Sequence, residues 1–357
     1  MKILILYTSA GYGHFKIAEN IAAVLRQDHS VDLINLFEVE NGKITTWGTK
    51  VYLWVIKRIP WLWNFFYTNK IFLRLTLPLR TKIAAKKSQR ILDIINRGGY
   101  DVVICTQVNA SAILSYLKKK NLFRGKLVVT FSDFHLHPFW MFDNVDLYLA
   151  NITEQKEEMV ALGIAPEKIA VIGITVQPLK QIDETALRIK YNLTPDDKVV
   201  LFAGGGRGYG INYETVSEAL ELGAKVFVVC GKNVELENEL KDIFAQTDAR
   251  IFGYVDNMQE LYQLANIVVS KPGGLTVTEC LQRNLPMLVS AYLPGQEKLN
   301  YDYLRDKSLI LPDLVGSDRG VLEDELKTSA FHKDLINNQT AREIAQEGEQ
   351  LRKIFAV

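Results

Sequence analysis

Residues 267–279 have the sequence IVVSKPGGLTVTE, and this stretch decides the predicted fold. It begins with the short β-branched run Ile267–Ser270, which predicts a buried strand. Pro272 and two glycines then form a turn, and a helix opens directly after it. A strand that enters a helix through a glycine turn is typical of the parallel sheets of α/β proteins.

The same alternation of strand and helix recurs along most of the chain. Ten aliphatic runs predict strands, at Ile3–Tyr7, Asp101–Cys105, Lys126–Thr130, Leu147–Leu149, Ile169–Ile172, Val199–Ala203, Lys225–Cys230, Arg250–Phe252, Ile267–Ser270 and Met287–Ser290. Amphipathic segments of helix length separate most of them, at Phe15–Arg26, Ala84–Asn96, Glu154–Leu162, Tyr213–Glu221, Glu235–Phe244 and Gln259–Leu264. This alternation predicts parallel sheets.

The pattern starts twice with a strand that runs into a glycine turn, after Ile3–Tyr7 and again after Val199–Ala203. We therefore predict an α/β fold of two Rossmann-like doubly wound domains that face a central cleft. A chain of 357 residues is long enough for two domains with separate cores. The predicted domains are 1–176 and 177–357, and the second ends in a terminal helix over residues 338–355.

The composition fits a globular protein, with 48% hydrophobic and 23% charged residues. The three cysteines lie far apart, without C-x-x-C spacing or a histidine partner, which argues against a disulfide framework and against a zinc site. A reducing, cytoplasmic setting is expected. The first strand starts at once and ends too early for the apolar core of a signal peptide.

The charges are distributed unevenly although the net charge is only +1. Residues 1–150 contain 20 Lys and Arg against 10 Asp and Glu, and residues 41–100 contain 12 basic residues against one acid, Asp93. The same short stretch holds four of the five tryptophans. Basic and aromatic residues together predict an anionic partner that covers an apolar layer.

This basic aromatic segment is predicted to lie on a membrane surface. Its lysines interrupt the apolar runs too often for a transmembrane helix, so an interfacial segment in the headgroup region is expected. The residues predicted to contact membrane or acceptor are Gly13, Lys50, Trp54, Lys57, Arg58, Trp61 and Trp63. The alternative is a helical hairpin that packs on the first domain with the tryptophans in its core.

A donor site is predicted at the carboxyl ends of the strands in the second domain. Ligands of open parallel sheets bind there, because helix N-termini present free N–H groups to anions. Ser270, at the strand end, is predicted to contact the donor. The N–H groups that follow, near Gly273, Gly274, Leu275 and Thr276, should point at a diphosphate. Glu279, about one turn into the helix, could accept both hydroxyls of a ribose, or it could be only an acid favoured by the helix dipole.

Two further segments follow strands of the same sheet. Gly205, Gly206 and Arg207 belong to a glycine-rich turn, which is weak evidence alone because the next strand does not end in the acid of a dinucleotide fingerprint. After the last strand, a loop carries Gly295, Gln296, Glu297 and Asn300. Gln296 and Glu297 suit hydrogen bonds to sugar hydroxyls.

These motifs together resemble those of a known family. Residues 271–279 followed by Pro294–Glu297 and Asn300 resemble the donor signature of the monogalactosyldiacylglycerol synthase and processive diacylglycerol glucosyltransferase family. That family is more distantly related to the undecaprenyl-PP-MurNAc-pentapeptide GlcNAc transferase. Residues 8–14 resemble its N-terminal glycine loop ending in histidine, and residues 133–140 its D-F-x-L-H-x-x-W element, although Phe131 and Ser132 are extra relative to the family spacing.

The resemblance implies a GT-B glycosyltransferase that transfers a hexose from a UDP-sugar to a membrane lipid, with diacylglycerol as the expected acceptor. It also implies inversion at the anomeric carbon and no requirement for a metal or other cofactor. Tyr254 and Val255 lie in a segment that resembles the one that holds uracil through its backbone. The enzyme is expected at the inner face of the cell membrane, bound peripherally and not to nucleic acid.

Inverting transfer needs a base that takes the proton of the acceptor hydroxyl. His14 is the first candidate, since it follows the first strand and an imidazole titrates near neutrality. Asp133 and His137 follow another strand of the same domain and could supply or orient the base instead.

The sequence also leaves other functions open for the whole chain. They are a transferase acting on a polyprenyl-linked saccharide, a non-catalytic UDP-sugar sensor and a UDP-sugar epimerase.

Overall fold

The computed structural model of the protein describes residues 1–8, 12–39, 58–59, 70–312, 319–345 and 349–356. The chain divides into two compact units. The first comprises Met1–Gln177, Leu293–Gln296 and the last helix, and the second comprises Pro178–Tyr292 and Glu297–Ala345.

The first unit is built on a six-stranded parallel sheet in the order β2-β1-β3-β4-β5-β6. Its strands are β1 Lys2–Tyr7, β2 Ser30–Asn35, β3 Val102–Cys105, β4 Lys126–Thr130, β5 Leu147–Ala150 and β6 Ile169–Val171. Its helices are α1 Tyr12–Leu25, α2 Leu36–Val39, α3 Lys70–Gly98, α4 Val108–Lys119 and α5 Thr153–Ala161. The middle residues of β1 are fully buried, as expected of a parallel strand covered on both faces.

The second unit has a five-stranded parallel sheet in the order β11-β10-β7-β8-β9. Its strands are β7 Val199–Ala203, β8 Lys225–Val229, β9 Arg250–Phe252, β10 Ile267–Ser270 and β11 Met287–Val289. The helices, in chain order, are α6 Glu184–Lys190, α7 Tyr213–Glu221, α8 Val234–Ile243, α9 Met258–Leu264, α10 Gly274–Gln282, α11 Gln296–Asp306, α12 Arg319–Thr328, α13 Ala330–Asn337 and α14 Gln339–Ile344.

The structure contains a strand that the sequence pattern missed, β2. It pairs with β1 from Lys2 opposite Ser30 to Tyr7 opposite Asn35. As an edge strand, β2 is only partly buried, begins with Ser and ends with Asn, and carries Asp between its aliphatic residues. It therefore lacks the continuous aliphatic run by which the other strands were predicted.

The C-terminal segment differs from the single terminal helix that was predicted over residues 338–355. Helix α14 ends at Ile344, and a separate helix, α15, spans Glu349–Phe355. Helix α15 groups with the first unit, not with the second. Arg352 forms an ion pair of 2.9 Å with Asp28, and the His29 ring lies 3.1 Å from the Phe355 carbonyl oxygen.

None of the helices in the described residues is both long enough and apolar enough to cross a bilayer. The residues on which the membrane prediction depends, Lys50, Trp54, Lys57, Trp61 and Trp63, lie outside the described residues. Arg58 is described and exposed. The interfacial character of this segment therefore stays a prediction from sequence.

Candidate active site

In the second unit, the strand order reverses beside β7. The chain runs from β7 outward through β8 to β9 and then returns to place β10 on the other side of β7. The connections after β7 and β10 therefore leave in opposite directions and frame a crevice at the carboxyl ends of these strands. The buried Ser270 hydroxyl donates to the Ala203 carbonyl at 2.6 Å, so this predicted donor residue ties the two strand ends together.

The N-terminus of α10 opens at this switch point. Its N-cap residue is Gly273, which has no side chain that could occupy the first N–H groups, and the first helical bond joins Val277 N to Gly273 O at 3.0 Å. The N–H groups of Gly274, Leu275 and Thr276 therefore precede the hydrogen-bonded turns. Together with the helix dipole they form a site suited to an anion.

The turn before α10 is held by a predicted site residue. Asn300 is fully buried, and its amide donates to the Pro272 carbonyl at 3.1 Å. A Cβ atom built on Gly273 would meet no atom within 4 Å among the described residues, so there is open space at the helix start. In the structure Asn300 holds the backbone of this turn, and its predicted contact with the donor stays a prediction.

Glu279 is half-buried in α10, and a second residue orients it. The buried Tyr262 hydroxyl donates to Glu279 Oε2 at 3.2 Å. Burial, followed by the Glu279 charge, raises the pKa of Tyr262 well above its usual value, so the hydroxyl keeps its proton. Arg283 lies 5.3 Å from the centre of the Tyr262 ring and donates to the Glu279 main-chain carbonyl at 2.9 Å.

Glu297, a predicted sugar contact, forms an ion pair with Lys271. The Glu297 side chain is 11% exposed and that of Lys271 is 28% exposed, so the pair is largely shielded from water. The sequence did not single out Lys271 as this partner, because 26 residues separate the two. Gly295, one residue before α11, is buried with a φ of +83°, a left-handed conformation that favours glycine.

The glycine turn after β7 requires close backbone approach. Gly205 has a φ of +62°, and a Cβ atom on Gly231 would lie 2.4 Å from the Gly205 carbonyl oxygen. The next residue, Lys232, donates its N–H to the Gly206 carbonyl at 3.1 Å. Gly231 is thus a structural requirement of the turn that no sequence motif marks.

The remaining predicted donor residues lie on the surface of the same unit. Arg207 is exposed, and its carbonyl accepts from the Asn233 amide at 3.3 Å. Tyr254 is exposed with the Lys232 ammonium 5.4 Å from its ring centre, and Val255 is half-buried. The roles of these residues stay predictions.

The first unit has its own switch point, between β1 and β3. Gly13 and His14 lie in the first turn of α1, which follows β1, and Thr106, which follows β3, donates its hydroxyl to the His14 carbonyl at 3.2 Å. The His14 Nδ1 atom is buried and has no hydrogen-bond partner among the described residues. An unpaired buried nitrogen at a switch point is a candidate contact for a substrate.

Burial lowers the pKa of His14 from its usual value of 6.5, while the Asp133 charge and a hydrogen bond with the Thr106 backbone oppose this shift. The imidazole is therefore neutral at pH 7 and able to accept a proton. Two of the three candidate bases, His14 and Asp133, are thus coupled electrostatically.

Asp133 lies three residues after β4. Its carboxylate accepts from the Ser132 hydroxyl at 2.7 Å and from the Gln296 amide, and Gln296 groups with the first unit. His137 is buried, and its Nδ1 atom accepts from the Phe139 N–H at 3.2 Å. This bond commits one His137 ring nitrogen to the local backbone, whereas the Nδ1 atom of His14 remains available.

Comparisons with known proteins identify related domains in both parts of the chain. Residues 14–176 match the family model for monogalactosyldiacylglycerol (MGDG) synthase, and residues 199–306 match the glycosyltransferase family 28 C-terminal domain. Over 353 residues the chain is 28% identical to the processive diacylglycerol beta-glucosyltransferase of Bacillus pumilus (strain SAFR-032), with 94% of this chain and 90% of that protein covered.

Solved structures share the fold at low sequence identity. MurG from Acinetobacter baumannii has a TM-score of 0.62 and 13% identity, with 99% of this chain and 98% of that chain covered. UDP-GlcNAc 2-epimerase from Neisseria meningitidis, solved with UDP-GlcNAc, has a TM-score of 0.60 and 11% identity, with 99% of each chain covered. Transferases and an epimerase thus share this architecture, which alone does not decide the activity.

The two parallel-sheet units and the matched domains define the chain as a GT-B glycosyltransferase. This confirms the predicted fold class. Within that class, residues 14–176 match the monogalactosyldiacylglycerol synthase domain, and the chain is similar over most of its length to processive diacylglycerol glucosyltransferases.

Proposed function

We propose that this glycosyltransferase moves a hexose from a UDP-sugar to a membrane lipid acceptor, diacylglycerol, and so forms a glycolipid. The observation that carries the proposal is the open N-terminus of α10 at the switch point of the second unit. The similarity to processive diacylglycerol beta-glucosyltransferases supports the choice of acceptor.

In this proposal, the second unit binds the donor. The N–H groups of Gly274, Leu275 and Thr276 receive the diphosphate, and Glu279 accepts hydrogen bonds from the ribose hydroxyls. The backbone near Tyr254 and Val255 holds the uracil. The helix N-terminus stabilises the charge that develops on the leaving UDP, so we propose that no metal is required.

The first unit supplies the base. The acceptor hydroxyl gives its proton to His14, its oxygen forms a bond to the anomeric carbon, and the bond from that carbon to the diphosphate oxygen breaks. UDP leaves with the electron pair, and a single displacement inverts the anomeric centre. The lowered pKa of His14 supports this role, because the imidazole is already neutral at physiological pH.

The basic aromatic segment within residues 41–100 brings the enzyme to the membrane. Each Lys or Arg close to an anionic surface contributes about 1 kcal/mol, so several together hold the protein there reversibly. Peripheral association with the inner face of the cell membrane follows from this attraction and from the lipid acceptor.

The direct test is incubation of the protein with a panel of radiolabelled UDP-sugars and either diacylglycerol or a polyprenyl diphosphate saccharide, followed by thin-layer separation of the lipids. A labelled glycolipid from diacylglycerol, formed equally well with a metal chelator present, is the expected result. Label on the polyprenyl acceptor alone would replace the proposed acceptor. UDP binding without transfer to either lipid would favour a non-catalytic sensor, and conversion of the free donor would favour an epimerase.

Membrane attraction is tested separately by replacing Lys50, Lys57 and Arg58 with Glu. Co-sedimentation with anionic vesicles should fall, most clearly at low salt, because charge reversal turns attraction into repulsion. Turnover of a short-chain soluble acceptor should persist. Unchanged vesicle binding, or equal loss of activity on soluble and lipid acceptors, would show that the segment belongs to the core of the first unit.

A further inference from the structure

Asp133 lies in a loop that two buried amides hold to the rest of the first unit. Asn151 and Gln155 are each only 1% exposed, and they lie directly after β5 and in the first turn of α5. Both side chains point their NH2 groups at main-chain carbonyls of the loop that follows β4.

Four hydrogen bonds fix alternate residues of this loop. The Asn151 amide donates to Phe131 O at 3.3 Å and to Asp133 O at 2.8 Å. The Gln155 amide donates to Asp133 O at 2.7 Å and to His135 O at 3.1 Å. The carbonyl of Asp133 is thus the point where both amides converge.

The two amides are themselves oriented. Gln155 Oε1 accepts the Asn151 N–H at 2.8 Å, so Gln155 reaches back over the start of α5 much as the glutamine of a capping box does. The Asn151 Oδ1 atom is buried without a partner among the described residues. A buried amide that leaves its acceptor unsatisfied is oriented by its donors, so the loop contacts decide how Asn151 lies.

We propose that Gln155, together with Asn151, is a positioning residue that fixes the loop carrying Asp133 and so keeps the Asp133 carboxylate within electrostatic range of His14. This inference rests on the proposed role of His14 as the base. Burial removes water from His14 and disfavours its protonated form, and the nearby Asp133 charge favours that form. If the loop could move, the attraction between the Asp133 charge and the protonated imidazole would weaken, whereas the effect of burial on His14 would stay the same.

The test is Gln155→Met, which keeps the length of the side chain and removes all three of its hydrogen bonds. The pH profile of kcat/KM on a short-chain acceptor reports the base of the free enzyme. We expect its acid limb to shift to lower pH by a few tenths to about one unit, because His14 loses part of the Asp133 charge. The kcat at pH 7.5 should fall about ten- to a hundredfold from misplacement of the loop, with UDP affinity by calorimetry unchanged.

The matched control is Asn20→Leu. Asn20 is a buried amide of the same unit whose NH2 donates to the Thr175 carbonyl at 3.0 Å, a bond that involves no residue of the Asp133 loop. Both variants should lose thermal stability, and only Gln155→Met should move the acid limb. If the Gln155→Met protein does not fold, Gln155→Asn keeps a buried amide that is one methylene too short to span the loop.

Asp133→Asn distinguishes failure of this inference from failure of the proposed base. It should shift the acid limb in the same direction, and adding Gln155→Met to it should shift the limb no further, because the two changes act through one charge. An Asp133→Asn profile identical to that of the wild type would overturn the proposed electrostatic pair. A shifted Asp133→Asn profile with an unshifted Gln155→Met profile would overturn the positioning role alone.

Discussion

The switch points of the two units have the same topology and different chemistry. In the second unit, the crevice between β7 and β10 is lined by glycine turns and by the uncapped start of α10. In the first unit, the crevice between β1 and β3 has a buried imidazole in the first turn of α1. One switch point offers main-chain N–H groups, and the other offers a titratable side chain.

This difference separates binding from chemistry. Main-chain N–H groups and a helix dipole do not titrate, so they bind a diphosphate equally well across the neutral pH range. An imidazole works as a base only when it is neutral, and activity is lost as the pH falls through its pKa. We therefore expect UDP affinity and turnover to respond differently to pH and to substitution.

The largest effect is expected from His14→Ala. Loss of a general base lowers the rate of the chemical step by about a hundred- to ten-thousandfold, whereas UDP affinity should stay the same. Steady-state turnover with a short-chain acceptor, paired with calorimetry of UDP, separates the two. Loss of UDP affinity together with turnover would mean that the two switch points do not divide the work as proposed.

The wild-type pH profile sharpens the same contrast. Because the pKa of His14 lies below its usual value of 6.5, the midpoint of the acid limb of the kcat/KM profile should lie below pH 6.5. The affinity for a UDP-sugar, whose diphosphate carries no group that titrates in this range, should remain flat through the limb. An acid limb above pH 6.5 would assign the base to another group.

Glu279→Ala should produce the next largest effect, which is a loss of UDP affinity. A hydrogen bond to a charged group is worth about 1.5 to 3 kcal/mol, which corresponds to about a ten- to hundredfold loss of UDP affinity. Turnover at saturating donor should change much less. Unchanged UDP affinity by calorimetry would remove the ribose role and leave Glu279 as an acid near the N-terminus of α10.

Gly231→Ala tests whether the glycine turn after β7 belongs to the donor site. The new methyl would lie 2.4 Å from Gly205 O, so the turn must move, and UDP affinity should fall about tenfold. Gly223→Ala is the matched control, since Gly223 has a φ of +77° and open space at the Cβ position. Both variants should lose about 1 kcal/mol of stability, because alanine is strained in the left-handed conformation. Equal UDP affinity in the two variants would show that this turn is not part of the donor site.

Much of this architecture was predictable because parallel strands buried on both faces are nearly continuous aliphatic runs. All ten predicted strands are present within one or two residues at each end. β2 was missed because an edge strand with polar residues lacks that signal. The division of the C-terminal segment into α14 and α15, and the contact of α15 with α1, depend on tertiary packing that local periodicity does not encode.

The site was predicted where local sequence carries the chemistry, as at the glycine turn before α10. The sequence did not predict the residues that act by supporting others. These residues contact their partners only in the folded chain; they are Tyr262, Lys271, Gly231 and Gln155. Their types are ordinary for helices and loops, and no spacing marks them. Asn300 and Ser270 were singled out as donor contacts, and in the structure both hold the backbone that forms the site.

Tyr262→Phe should give the smallest effect and define how Glu279 is held. The substitution removes only the hydrogen bond from the Tyr262 hydroxyl to Glu279, which is worth about 1 kcal/mol. UDP affinity should therefore fall about fivefold, because the carboxylate loses its orientation. With 2′-deoxy-UDP, which lacks one of the hydroxyls that Glu279 would accept, the same substitution should matter less. Tyr191→Phe is the matched control, because the Tyr191 hydroxyl lies 3.1 Å from Glu260 in the same unit and should not affect UDP affinity. An equal loss with UDP and 2′-deoxy-UDP would show that Tyr262 supports the fold of α10 and not the ribose contact.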